Sequence, residues 1–169
     1  SPYGVLKRVG ELYTQTLKGL TVKFWNVYGI EKDHEKAHVI TDFIKKGFEE
    51  GEFEMLTDGT EERQFLYAED CCEALETIME SYSDFKPTDP LHVTSFNSTS
   101  IKDVSAMIQG QFNLIGRMDV NIKPGLAKDS VQMDKRNEAD NYILGWWQPK
   151  TTIDKGIAKV FEAMKKDYE

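Results

Sequence analysis

Apolar residues recur along the chain at two periods, and the alternation between them sets out the expected elements. Residues 3–18 carry Val5, Leu6, Val9, Leu12, Tyr13 and Leu17 at helical spacing. Lys18-Gly19 closes that helix, with the glycine at its C′ position. Leu20–Trp25 then reads as a buried strand and Asn26–Gly29 as the turn that ends it. A charged loop over 31–37 precedes a second helix at 38–48, with Val39, Ile40, Phe43, Ile44 and Phe48 apolar. A short strand over 52–56, an Asp58-Gly59 turn and a strand over 63–67 predict a hairpin. Glu69 and Asp70 open a helix over 71–82, where a carboxylate suits the N-terminus. After a linker at 83–90 come a strand over 91–95 and a helix from Ser100 to about Asn113, with Asp103 completing a partial capping box. A strand at 119–122, a short helix at 134–142 and a last helix at 153–166 follow. Thr151 or Thr152 caps that last helix, whose stripe is Ile153, Ile157, Val160, Phe161 and Met164. Strands alternating with helices predict an α/β fold.

Composition narrows the function classes. With 169 residues, 40 % apolar and 30 % charged, the chain suits one ordinary domain with a real core. The net charge of −8 argues against nucleic acid as a partner. No apolar run approaches the ~20 residues of a membrane span. Cys71 and Cys72 are adjacent, which fits neither a disulfide framework nor a zinc pattern and predicts two reduced thiols in a cytoplasmic protein. His34, His38 and His92 lack ligand partners at metal spacing, so no metal site is expected.

The candidate chemistry begins at the front. Tyr3 and Lys7 are four residues apart on the first helix and share one face. An ammonium beside a phenol favours the phenolate, and such a pair can move protons at a sugar or alcohol hydroxyl. Tyr28/Lys32 and Tyr82/Lys86 have the same spacing, so the context must decide. That context, Ser-Pro-Tyr-Gly-x-x-Lys-x-x-Gly-Glu over residues 1–11, resembles the active-site helix of the extended short-chain dehydrogenase/reductase family, the NAD-dependent nucleotide-sugar epimerases and dehydratases. Asn26-Val-Tyr-Gly29, the segment from Asp58 to Asp70 around Arg63-Gln-Phe-Leu-Tyr67, and Leu144-Gly-Trp-Trp-Gln-Pro149 resemble the same family in the same order.

The resemblance implies the last part of a doubly wound, Rossmann-like parallel sheet plus a smaller mixed α/β substrate-binding lobe. It places the division at residue 29: 1–29 belong to the cofactor-binding body and 30–169 to the lobe. It implies that Tyr3 and Lys7 are catalytic and face the cofactor, and that Asn26, Val39, Ile40 and Arg63 meet a nucleotide-diphosphate sugar. Read alone, Asn26 also fits a plain turn, Val39 and Ile40 fit core positions, and Arg63 fits a surface ion pair with Glu61 or Glu62. Asp70 reads as a helix cap. Three positions depart from the family pattern: Ile30 where a proline is usual, Gln64 where an aspartate is usual, and Leu126 near the place of a second phosphate-binding arginine. Lys128 is the cation left in that loop.

No glycine-rich loop of the dinucleotide-binding type occurs in the sequence. The expectation is therefore the C-terminal half of a longer enzyme, NAD- or NADP-dependent and homodimeric as a whole. This chain alone is expected to retain no cofactor and to be inactive, with its first helix and the strand at 20–25 exposing apolar faces. The alternative is a non-catalytic sugar-nucleotide-binding or interaction module.

Overall fold

The computed structural model describes residues 2–33, 37–128 and 138–169. Helix α1 spans Pro2–Thr16 and is followed by strands β1 (Val22–Phe24) and β2 (Asn26–Tyr28). Helix α2 (Val39–Glu49), β3 (Glu52–Glu54), β4 (Glu62–Tyr67) and α3 (Ala68–Glu80) come next. The chain continues through β5 (Leu91–Val93), β6 (Ser98–Ser100), α4 (Ile101–Leu114), β7 (Asn121–Lys123) and α5 (Ile153–Lys165).

The strands pair in three small groups. β1 runs parallel to β5, with Val22 opposite Leu91. β2 runs parallel to β4, and β6 joins the other edge of β4 antiparallel, with Arg63 opposite Thr99. β3 runs parallel to β7. This is an α/β architecture with parallel pairing, as the alternation predicted.

Two apolar clusters hold these elements. In the larger one, α2, α4 and α5 pack on the β2–β4–β6 group through Phe43, Ile44, Val104, Ile108, Phe112, Ile157, Val160 and Phe161. Two glycines permit this closeness. A Cβ on Gly47 would lie 2.3 Å from the Phe112 ring, and one on Gly156 would lie 1.9 Å from the Tyr28 hydroxyl. The second cluster gathers Leu66, Ala74, Ile78, Leu91, Val93, Ile143 and Trp147 around α3 and β5. Helix α1 contributes no buried residue to either.

Several sequence expectations change. The single strand at 20–25 is replaced by β1 and β2, which join different partners. The hairpin does not form. Gly59 does turn the chain, at φ 74°, but β3 finds β7 and β4 inserts between β2 and β6. A local turn signal fixes where the chain reverses, and the core decides which strands pair. At the end of α1, Lys18 rather than Gly19 takes the left-handed conformation, at φ 59°. The 134–142 helix lies partly outside the described residues; 138–141 are not helical, and a 3₁₀ turn follows at Tyr142–Gly145.

Asp70 is not a cap either. Tyr67 occupies the N-cap of α3, and the buried Asp70 carboxylate accepts from Lys150 N at 2.9 Å, Thr151 N at 2.7 Å and Thr151 Oγ1 at 3.0 Å. Thr151 thus serves Asp70, and Thr152 holds the N-cap position of α5 without a side-chain cap bond. Ser100 behaves as expected: its hydroxyl oxygen accepts from Asp103 N at 3.0 Å.

Candidate functional site

A concavity of about 870 Å³ opens where β2, β4, the start of α2 and the loop after β3 converge. Side chains alternate faces along a strand, so Glu61, Arg63 and Phe65 reach this cavity while Gln64 and Leu66 turn away. From β2 come Asn26, Val27 and Tyr28, and from the start of α2 come His38, Val39 and Ile40. Phe24 and Trp25 close one side, and Leu56 stands at another.

Four of the residues expected to meet a ligand, Asn26, Val39, Ile40 and Arg63, therefore share one wall although they lie on three separate segments. The Asn26 amide donates to Gln64 O at 3.4 Å. Arg63 Nη1 donates to Glu62 O at 3.1 Å. Ile40 is at once buried in the core and part of the cavity wall. Lys128 is exposed in the loop after β7 and does not line the cavity. That loop is bound to the loop after β3 by Gly125 N to Thr57 O at 3.0 Å and Asp58 N to Ala127 O at 2.7 Å. Leu126 is fully exposed.

Tyr3 and Lys7 are on α1, outside the cavity wall. They share a face as the spacing requires, with Lys7 Nζ 5.4 Å from the Tyr3 ring centroid, a cation–π geometry. Tyr3 is 71 % exposed. α1 is tied to β1 by Lys23–Glu11 at 3.0 Å, and Glu11 also takes Arg8 at 2.5 Å.

The charges in the cavity are mostly in use. Lys46 pairs with Asp42 at 2.8 Å across one helical turn. Glu61 accepts from Thr57 Oγ1 at 2.5 Å, while its Oε2 has no partner among the described residues. His38 N donates to Glu31 Oε2 at 2.9 Å and the ring also meets Glu31. Burial pushes the Glu31 carboxyl up, and the hydrogen bonds from His38 and Thr41 outweigh it, leaving it below its ordinary value. Burial drives the Tyr28 phenol far above its ordinary range, with Tyr67, Asp70 and Asp154 adding to the effect. Tyr28 therefore stays neutral, its hydroxyl donating to Ile153 O at 3.4 Å, and is unsuited to accept a proton. Sequence reasoning missed Glu61, Asp42 and Lys46. For Glu61 the signal was present: it stands two residues before Arg63, hence on the same face.

A dinucleotide needs a glycine-rich strand-to-helix turn for its pyrophosphate. The two direct strand-to-helix junctions, Tyr67–Ala68 and Ser100–Ile101, have no glycine, so the described residues do not form such a cradle. Among the described residues no group of three His, Cys, Asp or Glu is placed to hold a metal ion. No helix among them is long and apolar enough to cross a membrane. Cys71 is buried, Cys72 is exposed, and both are free.

Comparison with known proteins adds ancestry to this geometry. The family model described as NAD dependent epimerase/dehydratase matches residues 1–93. GDP-L-fucose synthase of Sinorhizobium fredii is 28 % identical over 149 residues, covering 82 % of this chain and 44 % of that protein. A crystal structure of UDP-glucose 4-epimerase from Thermotoga maritima, with UDP-glucose, superposes with a TM-score of 0.80 at 22 % identity, over 100 % of this chain and 55 % of that one. UDP-N-acetylglucosamine 4-epimerase from Methanobrevibacter ruminantium, in complex with UDP-N-acetylmuramic acid, gives a TM-score of 0.80 at 20 % identity, over 99 % and 54 %. These structural likenesses establish the fold. The chain spans about half the length of the relatives it matches.

Proposed function

The chain belongs to the NAD-dependent epimerase/dehydratase family, and we propose from that premise that it is the substrate-binding half of a nucleotide-sugar epimerase or dehydratase. The observation that carries the reading is the convergence of Asn26, Val39, Ile40 and Arg63 on one cavity of about 870 Å³. The Arg63 guanidinium suits a diphosphate, because its planar fork matches phosphate oxygens. Asn26 offers an amide beside it, and the aromatic and aliphatic wall suits the remainder of a nucleotide sugar. Lys128 adds a point charge on the neighbouring loop.

In this reading residues 1–29 complete the cofactor-binding body and 30–169 form the lobe. The cofactor, NAD or NADP, is held by the other half. Tyr3 exchanges a proton with a sugar hydroxyl, and Lys7 places positive charge beside the phenolate. The whole enzyme is a cytoplasmic homodimer.

Two measurements test this. Calorimetry with UDP-glucose and with GDP-linked sugar should show binding to this chain, weakened about 10- to 100-fold in Arg63→Ala; an unchanged affinity in that variant removes Arg63 from the site. Supplied with NAD and a nucleotide sugar, the chain alone should not turn over; robust turnover overturns the division between halves. The second reading, a binding module without catalysis, draws on the absence of Tyr3 and Lys7 from the cavity wall. It requires that Tyr3→Phe in the longest natural form of the protein leave every sugar-nucleotide conversion unchanged.

A further inference from the structure

Two stretches of the cavity wall carry charge that a diphosphate on Arg63 leaves unused: Asp42 and Lys46 on α2, and Glu54 at the end of β3. We propose that these three side chains read the base of the bound nucleotide, and that this base is guanine. The proposal rests on the nucleotide-sugar reading and adds which nucleotide the cavity selects.

α2 and β3 are joined by Glu50 and Gly51 alone and pack on each other, with Phe43 and Phe53 stacked at 4.7 Å between centroids. The helix therefore runs back along the strand. Val39, Asp42 and Lys46 are spaced i, i+3 and i+7, so they share a helical face, and all three line the cavity. Across from them the extended chain continues past β3, where Met55 N donates to Lys123 O at 2.9 Å. Side chains alternate along this segment: Phe53 and Met55 are buried, while Glu54 and Leu56 line the cavity. The antiparallel course sets Asp42 and Lys46 nearer Glu54, and Val39 nearer Leu56. A slot with two aliphatic sides and a charged end is formed between the two elements.

Each charged group is open to a ligand. Lys46 Nζ and Asp42 Oδ2 are 2.8 Å apart, and their side chains remain 38 % and 35 % exposed. Glu54 is exposed as well. Val39 and Leu56 suit the flat faces of a base. The charged end offers one ammonium donor and two carboxylate acceptors, so it matches an edge with one acceptor and two donors. Guanine has that edge in O6, N1–H and the N2 amine. Uracil and thymine present one donor between two carbonyls, and cytosine one donor beside two acceptors, so each sets an acceptor against a carboxylate. Adenine presents one donor and one acceptor and leaves a carboxylate without a partner. Either mismatch costs affinity.

Calorimetry on this chain with GDP, UDP, ADP and IDP tests the proposal, IDP being the guanine nucleotide without its N2 amine. GDP should bind about tenfold more tightly than UDP or ADP, and IDP about three- to tenfold more weakly than GDP. Asp42→Asn, a change at a part-exposed position, should shrink the preference for GDP over UDP by about threefold or more. Equal affinity for GDP and UDP, IDP binding as tightly as GDP, or an undiminished preference in Asp42→Asn overturns the guanine assignment. Each of those results still shows a bound nucleotide and leaves the nucleotide-sugar reading standing. If none of the four nucleotides binds, the nucleotide-sugar reading itself fails, and the guanine assignment with it.

Discussion

Helices α1 and α5 carry the same kind of apolar stripe and meet opposite fates. In α5, Ile157, Val160, Phe161 and Met164 are at most 2 % exposed, sealed against α2, α4 and β4. In α1, Val5, Leu6, Val9, Leu12 and Tyr13, with Leu17 just past its end, are 50–71 % exposed. Periodicity announces that a helix has a face to cover; it does not say what covers it. An uncovered stripe of this size marks an interaction surface. The neighbouring β1–β5 pair points the same way, since parallel sheets are normally covered on both faces and Phe24 is exposed.

Substitution at matched positions should break the symmetry between the two helices most sharply. Phe161→Ala removes a fully buried ring that touches Phe112 at 4.8 Å and Phe48 at 5.2 Å between centroids, and should cost about 3–5 kcal/mol. Leu12→Ala on α1 should change stability by less than about 0.5 kcal/mol. Urea denaturation of both variants measures the contrast. A costly Leu12→Ala would mean that copies of the chain already cover α1, and sedimentation at several concentrations would then show association.

Asp70 gives the next largest effect. It ties the second cluster to the start of α5, and Asp70→Ala leaves two N–H groups and one hydroxyl without their acceptor. A loss of about 2–4 kcal/mol is expected, read by the same denaturation, with Asp70→Asn recovering part of it. Recovery equal to wild type would show that charge is irrelevant to the clamp. Ligand binding separates the regions at smaller cost. Tyr3→Phe and Lys7→Ala should leave UDP-glucose affinity of this chain within about twofold, while Arg63→Ala weakens it as stated above. Equal losses from both helix and lobe would place α1 in the cavity wall.

How much of this was legible beforehand follows from the range of each interaction. α2, α4 and α5 were readable to within a residue or two, because 3.6-residue periodicity and the Ser100 cap are local signals. The partners of β3 and β4 were not. Short strands carry little pattern, and their pairing is chosen by contacts distant in sequence. Asp70 was misread for the same reason: its first-turn position is local, whereas Lys150 and Thr151 are far along the chain. In the cavity, Asn26 and Arg63 were flagged by the motifs around them. Asp42 and Lys46 were not, since a charged residue on a helix looks the same in sequence whether it faces solvent or a cavity; Glu61 was missed although its spacing from Arg63 puts the two on one face.

The smallest effect concerns His92, at the joint between the two regions. It lies on β5 opposite Lys23 of β1, and its Nδ1 accepts from Asp140 N at 3.1 Å. That bond requires an unprotonated Nδ1. Burial lowers the His92 pKa first and the Lys23 ammonium lowers it further, with Asp140 and Glu11 opposing. The unfolded chain therefore binds this proton more readily than the folded one, so stability rises with pH across the window. The contribution is fully present above the unfolded value, about 6.5, and is lost as pH falls through the lower folded value. Denaturation midpoints measured from about pH 7.5 down to about pH 5.5 should fall in the native chain and fall less in His92→Gln. If both curves coincide, the imidazole does not discriminate between the two states, and the joint between α1's edge and the packed lobe is held without it.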